Sequence, residues 1–284
     1  MTDPRIIAAQ VRMRLPTLTP LEGKVANHIL AHKDVDAAMS LREVSSETGV
    51  SDAMVVKVAK KLGFAGFREL RQGLMAYNRS DTAGLYSEIS ASDTGAQIIQ
   101  KVFRTALQAL EETFAILDIA AFEGAARALH MARQRDFYGV GGSAQIARDV
   151  AHKFLRIGLR VSVFDDAHMM MMSAALLGPD DVAVVFSHSG KTTAVLEPLE
   201  LARRNGAQTI AVTNYADSPT ARGADFVLCS TAQNSALLGE NATARIAQLN
   251  ILDALFVATA QLDRKAADAN LLRTMSAVQS KRKF

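Results

Sequence analysis

The stretch DVAVVFSHSGKTT (181–193) joins a short, mostly apolar run to a turn rich in small hydroxyl side chains. A continuous apolar run bounded by turn residues is typical of a strand buried on both faces of a parallel sheet. The serines, threonines and glycine that follow can form only a tight turn, or they can bring hydroxyl and backbone N–H groups to an anion. The rest of the chain decides between these two interpretations.

Four further apolar runs of strand length accompany this one and together predict a sheet of five strands. They lie at 137–141, 159–164, 207–213 and 225–229. Segments of helical length and period fill the first three gaps, at 143–157, 167–177 and 191–205. Strands that alternate with helices form a parallel sheet with right-handed crossovers, so we predict a doubly wound, flavodoxin-like α/β domain. We assign this domain to residues 119–284, with a long closing helix at 242–262.

Two turns that carry hydroxyl side chains are expected at one edge of this sheet. GVGGS (139–143) follows the first strand, and SHSGKTT (187–193) follows the third. In the strand order 2-1-3-4-5, strands one and three are neighbours whose crossovers leave on opposite faces, and such switch points bind ligands. Each turn also opens a helix, whose N-terminus favours an anion. We therefore predict a site for a small phosphate monoester, formed by Ser143, Ser187, Ser189 and Thr192 and by the backbone at Gly142 and Gly190.

A dinucleotide site of the Rossmann kind is the alternative for this crevice. The first turn departs from the GxGxxG spacing because Ala144 stands where the third glycine would be, although Asp165 and Asp166 do follow the second strand. Short hydroxyl side chains supply neither an adenine pocket nor a Mg²⁺ scaffold, which favours the monoester. We expect no cofactor, and the scattered histidines lack the spacing of metal ligands.

The first 79 residues form a basic head. They carry 12 Lys and Arg against 8 Asp and Glu, whereas the remaining 205 residues carry 20 against 21. This imbalance predicts a surface that binds a polyanion. Within the head, the segment 40–64 contains a helix from Leu41 to Thr48, a turn at Gly49 and a second helix after its N-cap Ser51. Two short helices joined by a tight glycine-containing turn are typical of a helix-turn-helix.

The second of these helices is expected to reach DNA. In a helix-turn-helix, the N-terminal residues of the second helix contact base edges in the major groove. Ala53 and Met54 offer apolar contacts to thymine methyl groups, and Lys57 can contact a guanine edge or a phosphate. The other basic residues are expected to contact phosphates, and an ordinary solvated face is the alternative for all of them. The predicted DNA-binding residues are Ser51, Ala53, Met54, Lys57, Lys60, Lys61 and Arg68.

The segment between the head and the α/β domain, residues 80–118, is predicted to be a polar linker followed by a connecting helix. Helical periodicity begins near residue 94 and continues to about residue 132. The apolar side chains of its first part recur at helical spacing and form one stripe, made of Ile98, Val102, Leu107, Leu110, Phe114 and Leu117. Such a stripe indicates an amphipathic helix.

The chain resembles the RpiR family of bacterial transcriptional regulators, in which a helix-turn-helix head precedes a sugar isomerase (SIS) domain. In the head, LTPLEGKVANHIL (18–30) and the segment 40–71 carry the resemblance. In the α/β part it is carried by GVGGSAQIARDVAHKFLRIGLRV (139–161), by the segment 186–214 and by ARIAQLNILDALF (244–256). The resemblance covers nearly the whole chain.

The resemblance implies a regulator that is not an enzyme, and a homodimer or homotetramer that binds a palindromic operator on double-stranded DNA. The effector it implies is a phosphorylated sugar or sugar acid, with its phosphate held by Ser143, Ser187, Ser189 and Thr192. The single cysteine, Cys229, and the lack of any run of roughly 20 apolar residues predict a cytoplasmic protein with no membrane partner.

Two other functions stay open at this point. SIS domains also occur in aldose–ketose isomerases, so a sugar-phosphate isomerase with an accessory DNA-binding head is the main alternative. Its candidate acid–base groups are His188 and Glu240, which together with Arg245 are also candidates for contacts to the sugar. The other alternative is a carbohydrate-responsive interaction module that binds no DNA.

Overall fold

A computed structural model of the chain describes residues 3–31, 39–80, 89–232 and 242–279. The chain divides into two compact units. The first comprises residues 1–116 and 231–243, and the second comprises residues 117–230 and 244–284. Among the residues that the structure describes, no helix is long and apolar enough to cross a membrane.

The first unit is helical. Its helices are α1 (Pro4–Arg14), α2 (Pro20–Ala31), α3 (Leu41–Thr48), α4 (Asp52–Lys61), α5 (Phe67–Asn78) and α6 (Gly95–Ile116), with a 3₁₀ turn at Leu15–Thr17. One apolar core joins helices α1 to α5. Val25 and Ile29 of α2, Val44 of α3, and Val55 and Val58 of α4 are all fully buried in it.

Local capping fixes the helix-turn-helix. Ser40 and Glu43 form a reciprocal capping box at the start of α3, and Gly49 ends that helix with a left-handed φ of 71°. Ser51 caps α4 by accepting a hydrogen bond from the Met54 amide. Caps of these kinds satisfy the backbone groups that a helix leaves unpaired at its ends. The predicted helix–turn–helix between Leu41 and the second helix is confirmed.

The second unit alternates helices and strands. Its helices are α7 (Ile119–Met131), α8 (Gly142–Arg156), α9 (Ala167–Leu176), α10 (Thr193–Arg204), α11 (Pro219–Arg222), α12 (Ala242–Leu262) and α13 (Arg264–Gln279). The strands are β1 (Gln134–Gly139), β2 (Ser162–Phe164), β3 (Asp181–Ser187), β4 (Gln208–Thr213) and β5 (Phe226–Cys229). They form one parallel sheet in the order β2-β1-β3-β4-β5, as predicted.

Both faces of the sheet are covered. On one face, Phe137 and Val184 pack in a cluster with residues of α7, α8, α12 and α13. On the other face, Tyr138 and Val185 pack with residues of α9 and α10. Successive side chains of a strand point to opposite faces, so these apolar strands supply two cores at once.

Two sequence-based boundaries are wrong. The helix predicted from 94 to 132 is broken into α6 and α7, because the carboxylate of Asp118 caps a new helix by accepting the Ala121 amide at 3.0 Å. The first strand begins at Gln134 rather than residue 137. Its early residues are polar but buried, and Asp136 is satisfied by the amide of Gln134 at 2.6 Å and by the Ser173 hydroxyl.

Candidate functional site

The turns after β1 and β3 lie side by side at one edge of the sheet. The two strands are hydrogen-bonded neighbours, with Gly139 paired to Phe186 at their carboxyl ends. Helix α8 leaves the first turn on one face of the sheet, and α10 leaves the second turn on the other. This is the switch-point geometry predicted from the sequence, and it creates a crevice between the two turns.

Both helices that open at the crevice begin without a side-chain cap. Gly141 precedes α8 and has no side chain, and the Thr192 side chain accepts no hydrogen bond from the first turn of α10. In the described part of this unit, α7, α9 and α11 are instead capped by Asp118, Asp166 and Ser218. The first-turn N–H groups of α8 and α10 are therefore the ones available to an anion.

Hydroxyl groups inside the second turn bond to the turn itself. The buried Ser187 donates to the Thr192 hydroxyl at 3.3 Å and accepts from the Gly190 amide at 3.1 Å. The half-buried Ser189 accepts from the Lys191 amide at 3.2 Å. These bonds hold the turn in shape and leave the oxygens of Ser189 and Thr192 nearer the surface than that of Ser187.

Gly190 is the tightest point of this turn. Its φ is +61°, and a Cβ atom added to it would lie 2.1 Å from the Ser218 hydroxyl oxygen and 2.8 Å from that of Thr220. The Thr220 amide also donates to the Gly190 carbonyl at 3.1 Å, and the Asn214 amide donates to the His188 carbonyl at the same distance. The loop between β4 and α11 therefore supports the turn from behind.

This supporting loop received no role from the sequence. Asn214, Ser218 and Thr220 are buried polar residues, and the Ser230 hydroxyl donates to the Asn214 side chain at 2.9 Å. The signal that could have found them is the cluster of small polar residues directly after β4, which is the same pattern that marks the other two turns.

The first turn is shaped by glycine as well. Gly141 has a φ of +57°, and a Cβ atom on Gly139 would lie 3.0 to 3.1 Å from the backbone of Ser143 and Ala144. Gly142 follows at the start of α8, and the guanidinium of Arg245, in the first turn of α12, lies 4.0 Å from its ideal Cβ position. Arg245 thus brings a positive charge to the mouth of the first turn.

The other sequence candidates are placed as follows. The half-buried His188 ring packs edge-to-face on Tyr215, with ring centroids 5.8 Å apart. Glu240 lies outside the described residues. Asp166 caps α9 through the Met169 amide, and Asp165 pairs with Arg148, so the acids that kept the dinucleotide interpretation open have partners in the protein.

Neither metal nor thiol chemistry is indicated within the described ranges. They contain no group of His, Cys, Asp and Glu that could hold a metal ion. Burial, together with the nearby Asp217 charge, raises the pKa of the Cys229 thiol to about 12. A thiol with that pKa stays protonated at neutral pH and behaves as a small core side chain.

The predicted DNA-binding residues lie on α4 and α5 of the first unit. Ser51 and Ala53 are exposed at the start of α4, and Met54 is half-buried. The Ser45 hydroxyl donates to Asp52 at 2.5 Å and so ties α3 to the first turn of α4. Further along the surface, Lys57, Lys60 and Arg68 are exposed.

Lys61 is engaged inside the head. Its ammonium lies 2.7 Å from the carboxylate of Glu22 on α2, and that of Lys57 lies 3.4 Å away. Glu22 is buried and accepts the Thr19 amide at 3.0 Å, which completes the cap of α2. The hydrogen bond from Lys61, followed by the one from Thr19, lowers the pKa of Glu22 to about 2.

Comparisons with known proteins agree with this two-part organisation. Residues 6–80 match the model of the helix-turn-helix domain of the rpiR family, and residues 128–258 match that of the SIS domain. The "HTH-type transcriptional regulator RpiR" of Escherichia coli K12 is 42% identical over 94% of this chain and 90% of its own length.

Two solved structures share the fold. The Vibrio vulnificus NanR protein complexed with ManNAc-6P superposes with a TM-score of 0.62 at 22% identity, over 97% of this chain and all of that one. The E. coli CFT073 protein c3406, solved in complex with a phosphosugar, superposes with a TM-score of 0.54 at 23% identity, over 63% of this chain and 97% of that one.

Proposed function

Because the chain belongs to the RpiR family of transcriptional regulators, with a helix-turn-helix domain and a SIS domain, we propose that it controls carbohydrate metabolism in response to a phosphorylated sugar or sugar acid. The single observation that carries the effector class is the pair of uncapped helix N-termini at one switch point. Two such ends supply converging N–H groups and positive dipole ends to a small anion.

The phosphate would lie between the two turns. We propose that Ser143, Ser189 and Thr192 donate hydroxyl hydrogen bonds to it, and that the backbone at Gly142 and Gly190 approaches it closely. Ser187 would contribute mainly by shaping the turn, because its hydroxyl already bonds to Gly190 and Thr192. The two structural neighbours that were solved with phosphorylated sugars support this ligand class.

The sugar part would extend toward α12. Arg245 lies near Gly142 and can add a charge-assisted hydrogen bond to the phosphate or to an acidic sugar. We keep His188 and Glu240 as proposed sugar contacts, with His188 held in place through its ring contact to Tyr215.

The head would bind double-stranded DNA through the exposed start of α4. We propose that Ser51, Ala53 and Met54 face the bases and that Lys57 reaches a base edge or a phosphate. Lys60 and Arg68 would contact phosphates, whereas Lys61 would act mainly by holding α4 against Glu22. A palindromic operator requires a symmetric oligomer, and we propose a homodimer or homotetramer.

We further propose that the protein senses its ligand without converting it. In support, the relatives that match over most of the chain are named as transcriptional regulators. The His188 ring contacts Tyr215, which also favours a positioning role over that of a mobile acid–base group.

A thermal-shift screen with phosphorylated sugars, each paired with its unphosphorylated form, tests this function. A ligand at 100 times its dissociation constant should add roughly 2.7 kcal/mol to the free energy of unfolding, and its unphosphorylated form should add little. The same ligand should change operator affinity and should remain unconverted in an NMR time course. No stabilisation by any phosphorylated sugar would contradict the sensor, and conversion of the ligand would favour the isomerase.

A further inference from the structure

Helix α6 has an inverted distribution of polar and apolar side chains. Its buried residues are mostly polar: Thr105, Gln108, Ala109, Glu112 and Thr113. Its large apolar side chains face outward, with Ile99, Phe103, Leu107 and Phe114 between 52% and 74% exposed. At 100° per residue, the exposed set lies on the opposite side of the helix from the buried set. The stripe that the sequence predicted is therefore real, but it faces away from the unit's own core.

The polar face of α6 is satisfied by the rest of the unit. The Tyr77 hydroxyl donates to Glu112 at 2.7 Å, and Gln108 donates to the same carboxylate at 2.9 Å. Arg12 of α1 forms an ion pair with Glu112, which is completely buried. Because these contacts fix which face of α6 turns inward, the helix cannot rotate to bury its apolar stripe without leaving a buried charge unpaired.

The outward stripe has the spacing of a helix–helix seam. Ile99, Phe103, Leu107, Leu110 and Phe114 are separated by steps of four, four, three and four residues. Steps of three and four keep side chains along one line of a helix, as in the core positions of coiled coils. A partner helix of the same pattern could therefore cover the whole stripe.

The exposed area also fits a partner of this kind. If a fully exposed large apolar side chain presents roughly 150–200 Å², the four exposed members of the stripe present about 400–500 Å². A stable interface buries about 800 Å² on each partner, with an apolar core and a polar rim. The stripe thus supplies an apolar core of the size that such an interface needs.

The charges beside the stripe favour an antiparallel pairing of two copies. Arg104 and Glu111 are exposed and lie on the same flank of the stripe. If α6 is paired with itself in reverse about Leu107, Arg104 comes opposite Glu111 twice, Ile99 opposite Phe114 and Phe103 opposite Leu110. A parallel pair would keep residues of one flank apart. Glu111 also bonds to Arg5 of its own chain, and a carboxylate can accept both partners.

We propose that the exposed stripe of α6 is a self-association surface on which a second copy of this chain binds in antiparallel orientation, with the two-fold axis near Leu107. An isologous contact of this kind closes after two copies. The resemblance to a family of oligomers named no surface, and this proposal does not depend on the ligand or on the operator.

Charge substitutions in the stripe test the surface. Phe103→Glu and Phe114→Glu should each halve the molar mass measured by light scattering after size-exclusion chromatography, with unchanged far-UV circular dichroism. Leu176→Glu on α9 is the control, because Leu176 is 82% exposed and lies outside α6. A native chain that is already monomeric, or stripe variants that keep the native mass, would overturn the proposal.

Cysteine cross-linking tests the orientation in a Cys229→Ala background. Leu107→Cys should form a disulfide with its own copy, whereas Ile99→Cys and Phe114→Cys alone should not, because like positions would be about 22 Å apart along the helices. The double variant Ile99→Cys/Phe114→Cys should cross-link. Self-cross-linking of Ile99→Cys alone would show a parallel pair and overturn the antiparallel arrangement.

Discussion

The ammonium group of Lys61 lies 2.7 Å from the carboxylate of the buried Glu22, so α4 is fastened to α2 by a charge-assisted hydrogen bond. The same carboxylate caps α2 through Thr19. One acidic residue therefore holds two helices of the DNA-binding domain, and its ionisation couples the stability of that domain to pH.

We expect this coupling to act in acid. The pKa of Glu22 falls from its usual 4.5 to about 2 in the folded chain, so its contribution is complete above pH 4.5 and is lost as the pH falls towards 2. Glu22→Gln should lower the free energy of unfolding by roughly 1–3 kcal/mol at pH 7, and this difference should shrink below pH 4.5. Urea titrations of both proteins at several pH values measure it. A difference that stays constant down to pH 2 would refute the assignment.

Lys60 and Lys61 should differ in their effect on DNA binding although they are adjacent. Lys60→Ala should reduce the slope of log affinity against log salt by about 0.9, because one phosphate contact is lost. Lys61→Ala should leave that slope nearly unchanged and should lower stability instead, because its partner is Glu22. Fluorescence anisotropy with duplex DNA across a salt series measures both slopes. Equal losses of slope would show that Lys61 contacts DNA directly.

Gly190→Ala should damage the second turn. The left-handed φ of +61° and the Ser218 hydroxyl 2.1 Å from an added Cβ both oppose a side chain, so we expect a loss of more than about 1 kcal/mol of stability. Stabilisation by the phosphorylated ligand should also disappear. Gly178→Ala is the matched control, since nothing lies within 4 Å of its Cβ position. Melting temperatures with and without ligand decide the question, and a Gly190→Ala protein that melts and binds normally would contradict this account.

Thr192→Val keeps the shape of the side chain and removes its hydroxyl from the start of α10. A hydrogen bond to a charged group contributes roughly 1.5–3 kcal/mol, so the dissociation constant of the phosphorylated ligand should rise about 10- to 100-fold. Ser187→Ala should instead lower stability together with affinity, because its hydroxyl bonds within the turn. Isothermal titration calorimetry and thermal melts separate the two effects. Unchanged affinity in Thr192→Val would remove this residue from the site.

The sequence predicted those parts of the fold that local signals control. Ser40, Gly49 and Ser51 act within a few residues of themselves, so both helices of the helix-turn-helix could be placed correctly. The alternation of apolar strands and helices likewise fixed the strand order. The break at Asp118 was missed because the apolar periodicity continues across it, and only the capping bond interrupts the helix.

Long-range pairings could not be predicted in this way. Nothing near Lys61 in the sequence indicates that it meets Glu22, 39 residues away, and nothing near Gly190 indicates that Ser218 supports it. The outward direction of the α6 stripe depends on Tyr77 and Arg12, which belong to other helices. These contacts follow from the tertiary fold rather than from any local pattern.

The bonds from Tyr77 and Arg12 to Glu112 set a practical limit on how the DNA-binding part can be separated. A fragment cut at residue 79 would keep the phenol and the guanidinium but lose the carboxylate between them, and it would expose surfaces of α1 and α5 that α6 normally covers. A fragment that continues through Ile116 would retain all three groups. We therefore expect the longer fragment to express and crystallise more readily.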